Sequence, residues 1–121
     1  MTLLAKDLRC LDAHAHLGNW EFDHRPKQAL RHYAVGFGIG DLALGPAFEG
    51  VLPWGLIDNR PYLRCLHGFG ISTWRLGDLE GAAKVFRRML WLNPGDNQGA
   101  RINLMEVETG RTWAECEGLK G

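Results

Sequence analysis

The clearest pattern of apolar and polar positions lies in residues 60–94, RPYLRCLHGFGISTWRLGDLEGAAKVFRRMLWLNP. Leu63, Leu66, Phe69/Gly70 and Thr73 recur at spacings of three and four, which marks one face of a helix. Pro61 stands in its first turn, where the missing N–H costs nothing. Gly77-Asp78 interrupts the pattern, and Asp78 is placed to cap a second helix striped by Leu79, Ala82, Ala83, Phe86, Met89 and Leu90. Asn93-Pro94-Gly95 stops it. The prediction is a helical hairpin with a short turn. A third helix follows over 96–109, with Ala100, Leu104 and Val107 inward, Asp96 as its cap and Gly110 as its stop. RTWAECEGLKG reads as a short terminal helix with Trp113 packing back on the domain.

The N-terminal half is less regular. Residues 10–22 and 26–43 read as helices, with Pro26 near the start of the second. The stretch 45–61, GPAFEGVLPWGLIDNRP, is rich in proline and glycine and cannot be a regular helix. Its apolar residues, among them Phe48, Val51, Trp54 and Ile57, predict an ordered loop packed on the helices rather than a lid or binding loop.

The hairpin at 63–94 resembles a tetratricopeptide repeat. Leu66 stands at that motif's tryptophan position, Phe69-Gly70 at its Leu-Gly and Thr73 at its tyrosine; Ala82 and Phe86 give A-x3-F, and Pro94 closes it. Small Gly70 and Ala82 would let the helices approach while Leu66, Phe69 and Phe86 fill the space beside them. A degraded copy stands in front: Leu17-Gly18, with His14 and Glu21 at the two large positions and Ala29 with Tyr33 as A-x3-aromatic. Gly18 and Gly70 lie farther apart than the ~34 residues of adjacent repeats, and the excess falls in the Pro/Gly-rich stretch. The resemblance implies an all-α domain over 1–121, of antiparallel hairpins of α-solenoid type. Its parts are a degraded repeat (10–43), an inserted irregular loop (44–60), the better repeat (61–94) and C-terminal capping helices (96–119) that cover the last apolar face. Two repeats and a cap are short for a solenoid, which leaves homodimerisation open. Leu3, Leu4 and Leu8 ahead of the first repeat hint at a missing preceding helix.

Composition narrows the partners. At 121 residues and 45% hydrophobic, the chain can bury one modest core. Fourteen basic residues balance fourteen acidic ones, so neither nucleic acid nor an acidic membrane surface is an expected partner. No apolar run reaches the ~20 residues of a membrane span, and the N-terminus does not read as a signal peptide. Cys10, Cys65 and Cys116 form no C-x-x-C pair and are expected as buried, reduced thiols of a cytoplasmic protein.

Chemistry has one serious candidate. LDAHAHLG looks similar to the D-x-H-x-H opening of amidohydrolases, in which both histidines bind a metal from a strand of a barrel of ~250 residues. On a helix, residues two apart point about 200° from each other, so His14 and His16 could not share one ion. Glycines 36, 38 and 40 match no phosphate-binding loop; Gly36 and Gly40 share a helix face suited to close approach. Cys65 and His67 face apart on one helix, and Glu106, Glu108, Glu115 and Glu117 read as a solvated acidic face.

The expected function is therefore a non-enzymatic, cofactor-free protein- or peptide-binding scaffold. The resemblance implies that ligand peptides lie on a concave face built by first helices. It places Arg64, His67, Ile71, Trp74 and Arg75 there, with Asp12, Asn19, Phe22 and Asp23 from the degraded copy and Gln98, Arg101 and Met105 from the third helix. Asn19 matches one member of the carboxylate clamp some relatives carry, but Ala15 stands where its lysine would be. The alternatives are a small metal-binding protein or metal-dependent hydrolase using His14, His16 and His24, and a self-associating structural unit.

Overall fold

The apolar stripes fold as helices, and their ends are set by local chemistry. The computed structural model of the chain describes residues 5–44 and 59–120, and within them six helices and no strand. These are α1 (Ala5–Glu21), α2 (Pro26–Leu44), α3 (Arg60–Arg75), α4 (Leu79–Leu92), α5 (Ala100–Glu108) and α6 (Trp113–Lys120). No described helix is long and apolar enough to cross a membrane. The predicted inserted loop lies, but for its edges, outside the described residues.

Two helices stop by the same device. After α3, Gly77 takes φ +100 and the N–H groups of Gly77 and Asp78 return to the carbonyls of Trp74 and Thr73. After α5, Gly110 takes φ +82, and Gly110 and Arg111 return to Val107 and Glu106. Only glycine enters this left-handed region without strain, and the paired bonds satisfy carbonyls the helix leaves open. Asp78 then caps α4 by accepting the Gly81 N–H at 2.9 Å, as expected. Asp96 also caps its helix, but from a distance: α5 begins at Ala100, and the Asp96 carboxylate reaches forward to the N–H groups of Ala100 and Arg101 at 2.7 and 3.1 Å. Asp96 itself sits at φ 53, so the third helix starts four residues later than its sequence suggests.

From α1 to α5 each helix packs on the next, and α1 also packs on α3. The inward row of α1 is Leu11, Ala15 and Gly18; that of α2 is Ala29, Tyr33, Gly36 and Gly40. Leu63, Phe86 and Leu92 are fully buried between α3, α4 and α5. The sixth helix lies against the third, and Ile102 and Met105 of α5 are exposed at 59% and 60%.

The glycines explain how closely these helices approach. A Cβ on Gly70 would lie 2.8 Å from the Phe86 ring of α4, and one on Gly36 2.4 Å from the Cys65 sulfur. One on Gly40 would lie within the Tyr62 ring at 2.0 Å, while the Tyr62 hydroxyl donates to Asp41. Tyr33 is held from two sides: a Cβ on Gly18 would come within 2.4 Å of its ring and one on Gly68 within 2.3 Å. Of the cysteines, Cys65 and Cys116 are buried as expected, but Cys10 is exposed on α1.

These contacts set the sign of two substitutions in opposite directions. Gly68→Ala forces a methyl into a ring that cannot retreat, because Gly18 lies behind it, and should cost about 1–3 kcal/mol. Gly38→Ala meets nothing within 4 Å and should stabilise by about 0.5–1 kcal/mol through helix propensity. Urea unfolding of the two variants beside the parent chain measures both.

Candidate functional site

A groove of about 420 Å³ runs across α1, α3 and the approach to α5. Its walls carry Asn19 from α1, Phe22 from the turn after it, and Arg64, His67, Gly68 and Ile71 from α3. Tyr33, Gln98 and Trp113 complete the lining. A second hollow of about 330 Å³ continues it toward α5, sharing His67, Ile71, Gln98 and Trp113 and adding Ile102, Asn103 and Glu106.

Six residues expected on the binding face line this groove: Asn19, Phe22, Arg64, His67 and Ile71, with Gln98 ahead of α5. They do so because α1 and α3 run side by side over Tyr33. The Tyr33 hydroxyl donates to the Asn19 side-chain oxygen, leaving the Asn19 amide NH2 as the donor toward the groove. Arg64 is half-exposed, with Asp12 at 3.8 Å. His67 pairs with Asn103 of α5, Nε2 to Oδ1 at 2.9 Å, which ties the two walls together. Gln98 donates to the Leu63 carbonyl at 3.3 Å and keeps its own oxygen as an acceptor.

Three other expected residues are placed differently. Trp74 borders the second hollow but is only 2% exposed: it packs edge-on against Trp113 at 5.2 Å, and its indole N–H donates to the Arg111 carbonyl at 2.8 Å. Arg75 is engaged with Asp23, at 2.9 Å to the carbonyl and 3.8 Å to the carboxylate, and lies 5.1 Å from the centre of the Phe22 ring. Arg101 is exposed on α5 but lines neither hollow.

The metal alternative is not assembled by this arrangement. His16 turns to Asp12 one turn away, at 3.4 Å. His14 turns instead toward His32 of α2, ring centres 5.7 Å apart, and His24 is exposed in the turn after α1. Among the described residues, no three His, Cys, Asp or Glu side chains come together to hold an ion. Cys65 donates to the Leu11 carbonyl, and burial pushes its thiol up to about 12, away from nucleophilic use.

Tyr33, Trp113, Asn103 and Glu106 were not expected as groove residues. Tyr33 was readable only as a core aromatic, and nothing in the local sequence marks Asn103 or Glu106. No protein-family model matches the chain, and neither a curated protein nor a solved structure matches it.

Burial holds the His67 pKa below 6.5; the hydrogen bond to Asn103 and the charge of Asp96 pull it back more weakly. An unfolded chain takes up this proton near 6.5 and the folded chain resists it, so the unfolded state binds more protons below that point. Stability is therefore complete above about pH 6.5 and falls as the pH drops below it. The urea midpoint should decline from about pH 7 to about pH 5, and His67→Gln should flatten that decline.

Proposed function

We propose that the chain is a non-enzymatic scaffold of tetratricopeptide type whose concave groove holds a protein or peptide segment. The observation that carries this reading is the convergence of Asn19, Phe22, Arg64, His67 and Ile71, from two helices far apart in sequence, on one groove. Its lining suits a peptide: Phe22, Ile71 and Trp113 supply apolar and aromatic surface, while Arg64, Asn19 and Gln98 supply donors and an acceptor that could fix a backbone.

The helix order supports the repeat reading. The first helix of the first hairpin lies beside that of the second, α1 on α3, and α2 packs on both, as in α-solenoids. The interval from Gly77 to Gly110, which end α3 and α5 by the same turn, is close to the ~34-residue repeat period. Thr112 even repeats the role of Asp78, its hydroxyl accepting the Glu115 N–H at 3.2 Å. The setting we propose is cytoplasmic, in keeping with three cysteines that form no disulfide.

Panning a peptide display library on the purified chain tests the reading, with selected peptides titrated by two-dimensional NMR. Shifts should concentrate at residues 64–71, Asn19 and the Trp113 indole, and Arg64→Ala should weaken binding by about tenfold. Selection of no peptide, or shifts confined to the opposite face around α2 and α4, would overturn it.

A further inference from the structure

We infer that the α5 end of the groove receives a lysine or arginine side chain of the bound segment, with the Glu106 carboxylate as its charge partner. The inference deepens, and rests on, the peptide-binding reading above: it names the charge that the partner carries and the place where that charge sits.

The last turn of α5 carries Glu106 and Glu108 and no basic residue, so two carboxylates stand at the negative end of the helix dipole. Positions two apart on a helix point different ways, and the two acids meet different neighbours. Glu108 is exposed and pairs with Arg87 of α4 at 3.0 Å. Glu106 lines the second hollow, where the Cys116 thiol donates to one of its oxygens at 2.7 Å. Among the described residues, no lysine, arginine or histidine pairs with Glu106. A thiol is a weak donor without charge, so it leaves the carboxylate's charge uncompensated and its second oxygen open to a stronger donor.

The walls around it suit a long cationic side chain. Ile71 of α3, Ile102 one turn back on α5 and Trp113 line the same hollow, and Ile102 is 59% exposed. Lysine and arginine lay an aliphatic stem along such a surface while the charged end reaches a polar group. An apolar side chain entering here would bury the carboxylate without a partner, and an acidic one would add like charge. Both are disfavoured against a cation.

The rest of the groove does not supply the missing charge. Contacts in register show α3 and α5 running parallel: Leu63 lies at Gln98, His67 at Asn103 and Trp74 at Arg111. Arg64 stands one turn before His67 and Glu106 one turn after Asn103, so the two lie about 9 Å apart along the helix axes. That separation exceeds the Debye length of about 8 Å at physiological salt, so Arg64 does not neutralise Glu106. His67, between them, has its pKa held down by burial and is a poor counterion. The groove therefore has a positive end near α1 and a negative end at α5, and a segment with a basic residue lies with that residue toward α5.

The test pans a phage library of random linear decapeptides on the parent chain and on Glu106→Gln, a variant whose amide oxygen still accepts the Cys116 thiol. Peptides selected by the parent chain should share a lysine or arginine at one position. Changing that residue to alanine should weaken binding to the parent chain about tenfold and leave binding to Glu106→Gln unchanged. Charge reversal sharpens the test, since Glu106→Lys should select an acidic residue at the same position. Selected peptides with no shared basic position, or a basic residue that contributes equally to both chains, refute the inference and leave the peptide-binding reading standing. Selection of no peptide by the parent chain removes both. Should the Glu106 variants not fold, salt titration on the parent chain decides. The selected peptide should lose affinity with rising salt more steeply than its alanine form, and equal salt dependence refutes the pairing.

Discussion

Everything in this fold turns on the ring of Tyr33 and the two glycines that clasp it. Gly18 from α1 and Gly68 from α3 both present bare backbone to it, at distances no side chain could share. Three helices can therefore meet around one aromatic residue, which fills the junction and is only 2% exposed. The same burial raises the Tyr33 pKa to about 12, so the phenol stays neutral and acts as a donor. Its hydroxyl then positions Asn19, which carries the packing constraint out to the groove. Core and surface are coupled through a single side chain.

Much of this was legible because glycine and aromatic positions recur with helical period. The pairing of Gly70 with Phe86, and the closeness implied by Gly36 and Gly40, follow from residue size alone. Gly68 escaped notice because it stands two residues from Gly70. Positions two apart on a helix face different ways, so Gly68 serves Tyr33 of α2 while Gly70 serves Phe86 of α4. The helix α1 begins at Ala5, five residues ahead of the start that the sequence pattern predicts. The burial of Trp74 could not be read from its own stripe either, since α3 leaves it at the groove and the cover comes from Trp113 and Arg111, far along the chain.

The histidines show how element type decides chemistry. On a strand, His14 and His16 would share a face; on α1 one of them faces α2 and His32, while the other reaches back to Asp12. His67 is the histidine that the groove does use. It bridges α3 to α5 through Asn103 and burial holds its pKa down, so the charge of the first hollow resides on Arg64, with Asp12 beside it. The site is mildly polar and mostly apolar, the balance expected where shape does more than charge.

The left-handed glycines at 77 and 110 have a mechanical consequence. Each turn is sealed by bonds within its own few residues, so neither α3 nor α5 can lengthen by a turn or slip in register without breaking its own end. The spacing of the two groove walls is thereby decoupled from whatever lies between them. On the peptide-binding reading proposed above, such a frame would act as a rigid gauge: it would sort occupants by fit, with nearly all the ordering entropy of an encounter falling on the incoming chain.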